Sequence, residues 1–254
     1  MSTTAGLSQD ANDLAWAIGG SELLRRLWAE AWGDLYALEV EALSSTSWTT
    51  FGQLISYLRL QPGQVLADLG CGRGGPGLWL ARAFQARLIG VDHSASLVEQ
   101  ARARIGHWVR PDGAEFRIGT FTESGLDDSS ADAVISLGAL PLGQDLDAAL
   151  REISRIARPG GRVVVTFSES TEPDAVIDWA DRMRLAGLEF EARHEMPEAD
   201  RGWRRLCELI EDNRPELVED MGELGASFVF NDAETYAPVL DRLRWVLVAG
   251  RRAG

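Results

Sequence analysis

The sequence predicts an α/β fold in which a parallel sheet is covered by helices on both faces. Three observations carry that expectation. Strand-like runs at 64–69, 86–91, 114–118, 131–137 and 161–167 are interleaved with amphipathic segments at 77–84, 96–105 and 145–157, the alternation that builds βαβ units. The run Arg162-Val-Val-Val-Thr-Phe167 is nearly all apolar, which suits a strand buried on both sides. Glycines at 70, 72, 74 and 75 fall directly between a strand and a helix, where the chain must turn tightly.

The elements follow in order. Residues 1–35 read as helical, because Trp16, Ile18, Leu23, Leu24, Leu27, Trp28 and Trp32 recur near the helical period. A second helix covers 49–58 and ends at Gln61-Pro62-Gly63, a turn signal. The alternating stretch then runs to Phe167. Beyond it, 172–187 reads as a helix, 189–196 as a strand, 198–224 as an acidic helical stretch broken at Arg214-Pro215, and 244–249 as a closing strand. His107-Trp108 follows the second crossover helix. No repeat, low-complexity tract or linker interrupts the chain. It reads as one domain, 1–254, with N-terminal helices over 1–60, a ligand-binding core over 61–171, a helical cap over 172–240 and a closing strand over 241–254.

Composition narrows the function. With 254 residues, 45% hydrophobic and 25% charged, the chain can build a substantial core. Asp and Glu number 39 against 25 Lys and Arg, for a net charge of −14. The basic footprint that nucleic acid or an anionic membrane requires is absent from such a chain. Lysine is missing altogether, since every basic residue is arginine. That excludes Schiff-base and pyridoxal-phosphate enzymes, P-loop NTPases and protein kinases, all of which need a protein amine. Cys71 and Cys207 are too few for a disulfide framework or a four-cysteine zinc site, and no metal is expected. The stretch from Met1 to Asp13 lacks a basic and an apolar region of the secretory type, and no apolar run approaches a membrane span. A cytoplasmic chain is expected.

The glycine loop is the strongest local signal: Val65-Leu-Ala-Asp-Leu-Gly-Cys-Gly-Arg-Gly-Gly-Pro-Gly77. It satisfies G-x-G-x-x-G through Gly70, Gly72 and Gly75, so a nicotinamide dinucleotide is one reading. Asp68 argues against it, because a carboxylate two residues before the first glycine repels a pyrophosphate and suits a cationic amine. Asp92 ends the next strand, where a carboxylate accepts hydrogen bonds from both ribose hydroxyls. One acid for an ammonium and one for a ribose describes S-adenosylmethionine (SAM).

From about Pro62 to Phe167 the sequence resembles the class I SAM-dependent methyltransferases. Residues 65–74 look like the family's first motif, and Gly90-Val-Asp-His-Ser94 like its ribose-binding segment. Asp132-Ala-Val-Ile-Ser-Leu137 resembles the fourth strand, and Leu150-Arg-Glu-Ile-Ser-Arg-Ile-Ala-Arg-Pro-Gly-Gly161 the helix and turn before the fifth. The closest likeness is to actinobacterial methyltransferases of natural-product pathways. The resemblance implies a Rossmann-like sheet of seven strands, mostly parallel, in the order 3-2-1-4-5-7-6 with the last strand antiparallel. It implies SAM as cofactor, S-adenosylhomocysteine (SAH) as product and a small-molecule acceptor methylated on oxygen, nitrogen or carbon. Asp68, Gly70, Cys71, Gly72, Gly74 and Asp92 would hold the cofactor, with Leu137 at the end of the fourth strand beside it. His93 would lie against the adenine. Where the family often has Gly-Asp after the third strand, this chain has Gly119-Thr120 followed by Phe121, so an uncharged hydroxyl stands at the adenine amine. Cys71 fills a slot that is often small or Cys in the family, and reads as structural.

Other candidates are less local. Tyr36 and Trp48, which flank Ser44-Ser-Thr-Ser47, correspond to aromatic residues that fold over the methionine end in related methyltransferases, or else pack the N-terminal helices on the sheet. In the cap, Trp179, Met183, Met196, Trp203, Phe228, Phe230 and Tyr236 either line an apolar acceptor pocket or form the cap's own core. The acids of 208–223 read as a solvated helix face. His194 is the one histidine on the acceptor side and a candidate general base. Strand alternation puts it on the face of Ala192 and Met196, which suits a pocket and a structural histidine equally. The tryptophan-rich N-terminal helices offer a surface for a homodimer. Two further functions are open to the same residues: a SAM-binding natural-product cyclase that transfers no methyl, and a non-catalytic ligand-binding protein.

Overall fold

Helix starts in this protein are set by side chains that satisfy the free amides of the first turn. The computed structural model describes residues 19–143 and 145–254. Trp16, Ile18 and the stretch before them lie outside the described residues. Helix α1 (Glu22–Trp32) is capped by Ser21, whose hydroxyl accepts from the Leu24 amide at 2.9 Å. Helix α2 (Trp48–Leu58) opens on a capping box between Ser47 and Thr50. Helix α3 (Gly75–Phe84) follows Gly74 and has no side-chain cap, so its leading amides face the glycine loop unclaimed by a side chain. Ser94 caps α4 (Ala95–Trp108), and Asp145 caps α5 (Leu146–Ile156).

Seven strands form one sheet: β1 (Val65–Leu69), β2 (Arg87–Asp92), β3 (Ala114–Ile118), β4 (Ala131–Leu137), β5 (Ala157–Ser170), β6 (Leu188–Glu195) and β7 (Leu243–Arg252). Their order is β3-β2-β1-β4-β5-β7-β6. The first five are parallel, and β7 runs antiparallel to both β5 and β6. This is the order the resemblance implied. The C-terminal ends of six strands therefore share one edge. The chain reverses its order between β1 and β4, and in open α/β sheets ligands bind at that switch point.

Alternation along the strands divides the core into two layers. Leu66, Leu88, Phe116, Ile135, Val164 and Leu247 face α1 through α4, while Leu69, Val91, Val134, Val165 and Val248 face α5. Val163, Val164 and Val165 are fully buried, as the apolar run predicts for a strand with both faces covered.

The structure corrects several boundaries after Phe167. The helix expected over 172–187 shrinks to α6 (Trp179–Leu185), because the Asp178 carboxylate caps it by accepting the Asp181 amide at 3.0 Å and a short 3-10 turn at Pro173–Ala175 precedes it. Trp108 belongs to the last turn of α4. The acidic stretch becomes α7 (Pro197–Asp212) and α8 (Arg214–Tyr236), the latter bent at Gly222 with φ 74°. The cap expected over 172–240 is split by the sheet, since β6 is an edge strand and only α7, α8 and the 3-10 turn after them lie across the sheet's end. There α7 docks on α1. A Cβ at Gly202 would lie 2.4 Å from the Trp32 ring, so only glycine permits this approach. Trp28 and Trp32 stack at 4.6 Å and meet Trp203 edge-on at 5.4 and 6.1 Å. Trp28 and Trp32, two of the tryptophans that suggested a dimer surface, are buried inside the chain.

Candidate active site

The glycine loop is tied to the end of β2. Gly70 and Cys71 donate their amides to the Val91 carbonyl at 2.8 and 3.1 Å. Gly72 donates to Asp92 Oδ2 at 2.8 Å, and the Ser94 amide to Oδ1 at 2.9 Å. Each carboxylate oxygen keeps a lone pair for a further donor. Gly72 adopts φ +52°, and a Cβ there would meet nothing within 4 Å. Bare backbone thus borders open space, the condition for close approach of a ligand.

Asp68 sits behind this loop, 2% exposed, and no donor among the described residues hydrogen-bonds its carboxylate. Burial, and secondly the charge of Asp92, push its pKa up to about 7. A buried acid without a counterion is complementary to a cation. Burial, aided by Asp68 and Asp92, also pushes the Cys71 thiol well above its usual range, which leaves it unreactive. The His93 ring is exposed beside Asp92, with Nδ1 3.5 Å from Oδ1. Phe121 packs on the loop, 2.8 Å from where a Gly70 Cβ would stand. Thr120 precedes it on the turn after β3. Its exposed hydroxyl accepts the Glu123 amide at 3.0 Å and closes a local turn. Leu137 is buried at the end of β4.

Farther along the same edge, a cavity of about 120 Å³ opens beyond β4 and β5. Gly138, Thr166 and Ser168 form its floor, and the Gly138 amide donates to Thr166 Oγ1 at 2.7 Å. Trp203, Tyr236 and Trp245 form a wall, with Trp203 and Trp245 stacked at 6.1 Å and 13°. Residues 43–45 cross over it, and Trp203 Nε1 donates to Ser45 Oγ at 2.8 Å. The cavity is comparable with one that accepts a single benzene ring.

Of the cap residues singled out in the sequence, Trp203, Phe228 and Tyr236 line this cavity. Trp179 and Met183 lie in the core on the opposite face, Met196 lies in the core beneath α1 and α2, and Phe230 sits under the Arg214 guanidinium at 4.3 Å. Tyr36 is buried beside Trp28, with its hydroxyl 3.4 Å from the Ala42 carbonyl. Burial, with Glu41 second, raises its pKa. Trp48 is half-exposed and packs on Phe51 and Trp79. Neither aromatic lines the cavity; the strap between them does. His194 shares a register row with Leu247 and Thr166, so two strand spacings, roughly 10 Å, separate it from the cavity floor. Its Nε2 is 2.6 Å from the Tyr57 hydroxyl. The structure places His194 away from this cavity.

Sequence reasoning missed Asp232. It lines the cavity without a hydrogen bond or ion pair among the described residues, and burial pushes its pKa up to about 6. The signal was present, since Phe228, Asp232 and Tyr236 are spaced four apart and so share one helix face.

Residues 67–165 match the family model for a methyltransferase domain. A relative, the 27-O-demethylrifamycin SV methyltransferase of Amycolatopsis mediterranei, is 27% identical over 226 residues, which is 78% of this chain and 82% of its own. These likenesses support a class I SAM-dependent methyltransferase. This methyltransferase spans about half, or less, of the length of several other curated relatives that it matches. Among solved structures, the cyclase SpnF superposes with a TM-score of 0.70 at 19% identity, covering 91% of this chain and 93% of SpnF. A Haemonchus contortus phosphoethanolamine N-methyltransferase 2 bound to SAM superposes at 0.69 and 17% identity, covering 91% of this chain and 57% of that one. The residues present fit SAM: an unpaired buried carboxylate for the amine, a second carboxylate with open lone pairs for the ribose, and bare glycine backbone between them. No described helix is long and apolar enough to cross a membrane.

Proposed function

We propose that this methyltransferase moves the methyl group of SAM to a small, largely apolar organic acceptor, a secondary metabolite, whose reacting ring enters the cavity beyond β4 and β5. The observation that carries this reading is adjacency. The glycine loop and the aromatic cavity lie on one sheet edge, on either side of Gly138 and Leu137. SAM supplies an electrophilic methyl on cationic sulfur. The protein's share is then to hold two molecules in line and to exclude water. Asp68 takes the ammonium, Asp92 with the Gly72 amide the ribose side, and His93 and Phe121 the adenine side. Residues 36–48 act as a strap over the methionine end, and α7 and α8 as the cap over the acceptor. The net charge of −14 opposes a nucleic-acid acceptor. The free, buried thiols of Cys71 and Cys207 suit the reducing cytoplasm.

Incubation of the protein with methyl-labelled SAM and a cell extract, followed by mass spectrometry, tests this reading. Label is expected in an apolar low-mass product, with none in protein or nucleic acid. SAM binding with no labelled product in extracts that contain turnover-competent acceptors for related methyltransferases would point to a cyclase-type reaction.

A further inference from the structure

Asp232 lines the cavity beyond β4 and β5, and no cation among the described residues answers its charge. It stands on α8 between Phe228 and Tyr236, with Trp203 and Trp245 completing the apolar wall. Its charge is felt by Cys207 and Tyr236, neither of them cationic. A carboxylate kept in aromatic surroundings without a donor is unfavourable in the ligand-free protein. The arrangement becomes favourable when a ligand brings a donor. The other hydroxyls lining the cavity, on Ser44, Ser45, Thr166, Ser168 and Tyr236, are uncharged.

We propose that Asp232 is a catalytic residue that accepts a hydrogen bond, and then the proton, from a hydroxyl on an aromatic or enolic ring of the acceptor. This rests on the cavity being the acceptor site and narrows that site to O-methylation. The bond that breaks on the acceptor is O–H. Its proton passes to Asp232 and from there to water, the oxygen lone pair makes the new bond to the methyl carbon, and sulfur keeps the electron pair of the bond it loses. Burial holds the carboxyl at about 6, closer to neutrality than an ordinary aspartate, which is the direction that favours proton transfer near pH 7.

Ligand-observed NMR with three ring-sized probes tests it: 4-ethylphenol, its methyl ether 4-ethylanisole, and benzylammonium. In the wild type with SAH bound, 4-ethylphenol should bind at least fivefold more tightly than 4-ethylanisole. Asp232→Asn and Asp232→Leu should bring that ratio to about one while SAH affinity stays unchanged. With methyl-labelled SAM, the wild type should form 4-ethylanisole at least tenfold faster than Asp232→Asn. Preference for benzylammonium would overturn the proposal and make the cavity a cation site. Equal phenol preference or equal turnover in wild type and variants would also overturn it. Failure of all three probes to bind a wild type that still binds SAH would reject the cavity as the acceptor site and leave the cofactor assignment standing.

Discussion

The two ends of the β1–β5 edge are built differently. At the cofactor end, the carboxylates and the bare backbone come from residues 68–94, a single βαβ unit in which the Gly72 and Ser94 amides both bond Asp92. At the acceptor end, the cavity draws on segments around 43–45, 138–142, 166–168, 203 and 228–245. The first end is charged and assembled from backbone. The second is aromatic and assembled from side chains on separate elements, with one acid among them. Recognition of a constant cofactor can therefore be encoded locally, whereas recognition of a variable acceptor depends on how α1, α7 and α8 pack.

If that contrast is right, damage at the two ends should read out differently. Trp203→Ala should have the largest effect, because Trp203 joins α7 to Trp28, Trp32, Tyr236 and Trp245 and bonds Ser45. Such a truncation costs about 3–5 kcal/mol, and thermal unfolding should fall by roughly ten degrees. SAH affinity per folded molecule should change little; a large loss would mean that the two ends are not independent.

Asp92→Ala should do the reverse. It removes an acceptor for two hydroxyls, each charge-assisted bond being worth about 1.5–3 kcal/mol, and it also frees the Gly72 amide. Calorimetry should show SAM affinity lowered at least tenfold, with the circular dichroism of the wild type.

Asp68 gives the cofactor end a pH signature. Its carboxyl holds its proton up to about pH 7 in the free protein, and the SAM ammonium binds the ionised form. Affinity should thus rise with pH through this range and level off above it. Between pH 6 and pH 8 the ionised fraction changes about tenfold for such a group. The same fold-change in SAM affinity is expected, and Asp68→Asn should bind weakly with a flat profile. The sign for stability is opposite to that of an ordinary carboxylate. With the folded pKa raised above 3.8, the contribution is full below that value and is lost as pH rises through about 7.

The smallest effect is expected at His194. His194→Ala removes one hydrogen bond to Tyr57, worth about 1 kcal/mol. Turnover should stay near that of the wild type. A hundredfold loss of kcat would bring His194 back as the base and displace Asp232.

The sequence by itself determined the sheet, its strand order through resemblance, and the two acids beside the glycine loop. Those features depend on short-range patterns: period-two and period-3.6 apolar spacing, and glycines that only a tight strand-to-helix turn requires. Tertiary structure alone decided three things. It turned Trp28 and Trp32 inward, because Gly202 lets α7 approach α1. It set His194 two strands from the cavity, because β7 inserts between β5 and β6. It brought Asp232 to the aromatic wall, because α8 folds back over the strand ends. Each of these depends on contacts between residues on different elements, far beyond one helical turn along the chain, a separation over which local periodicity carries no information.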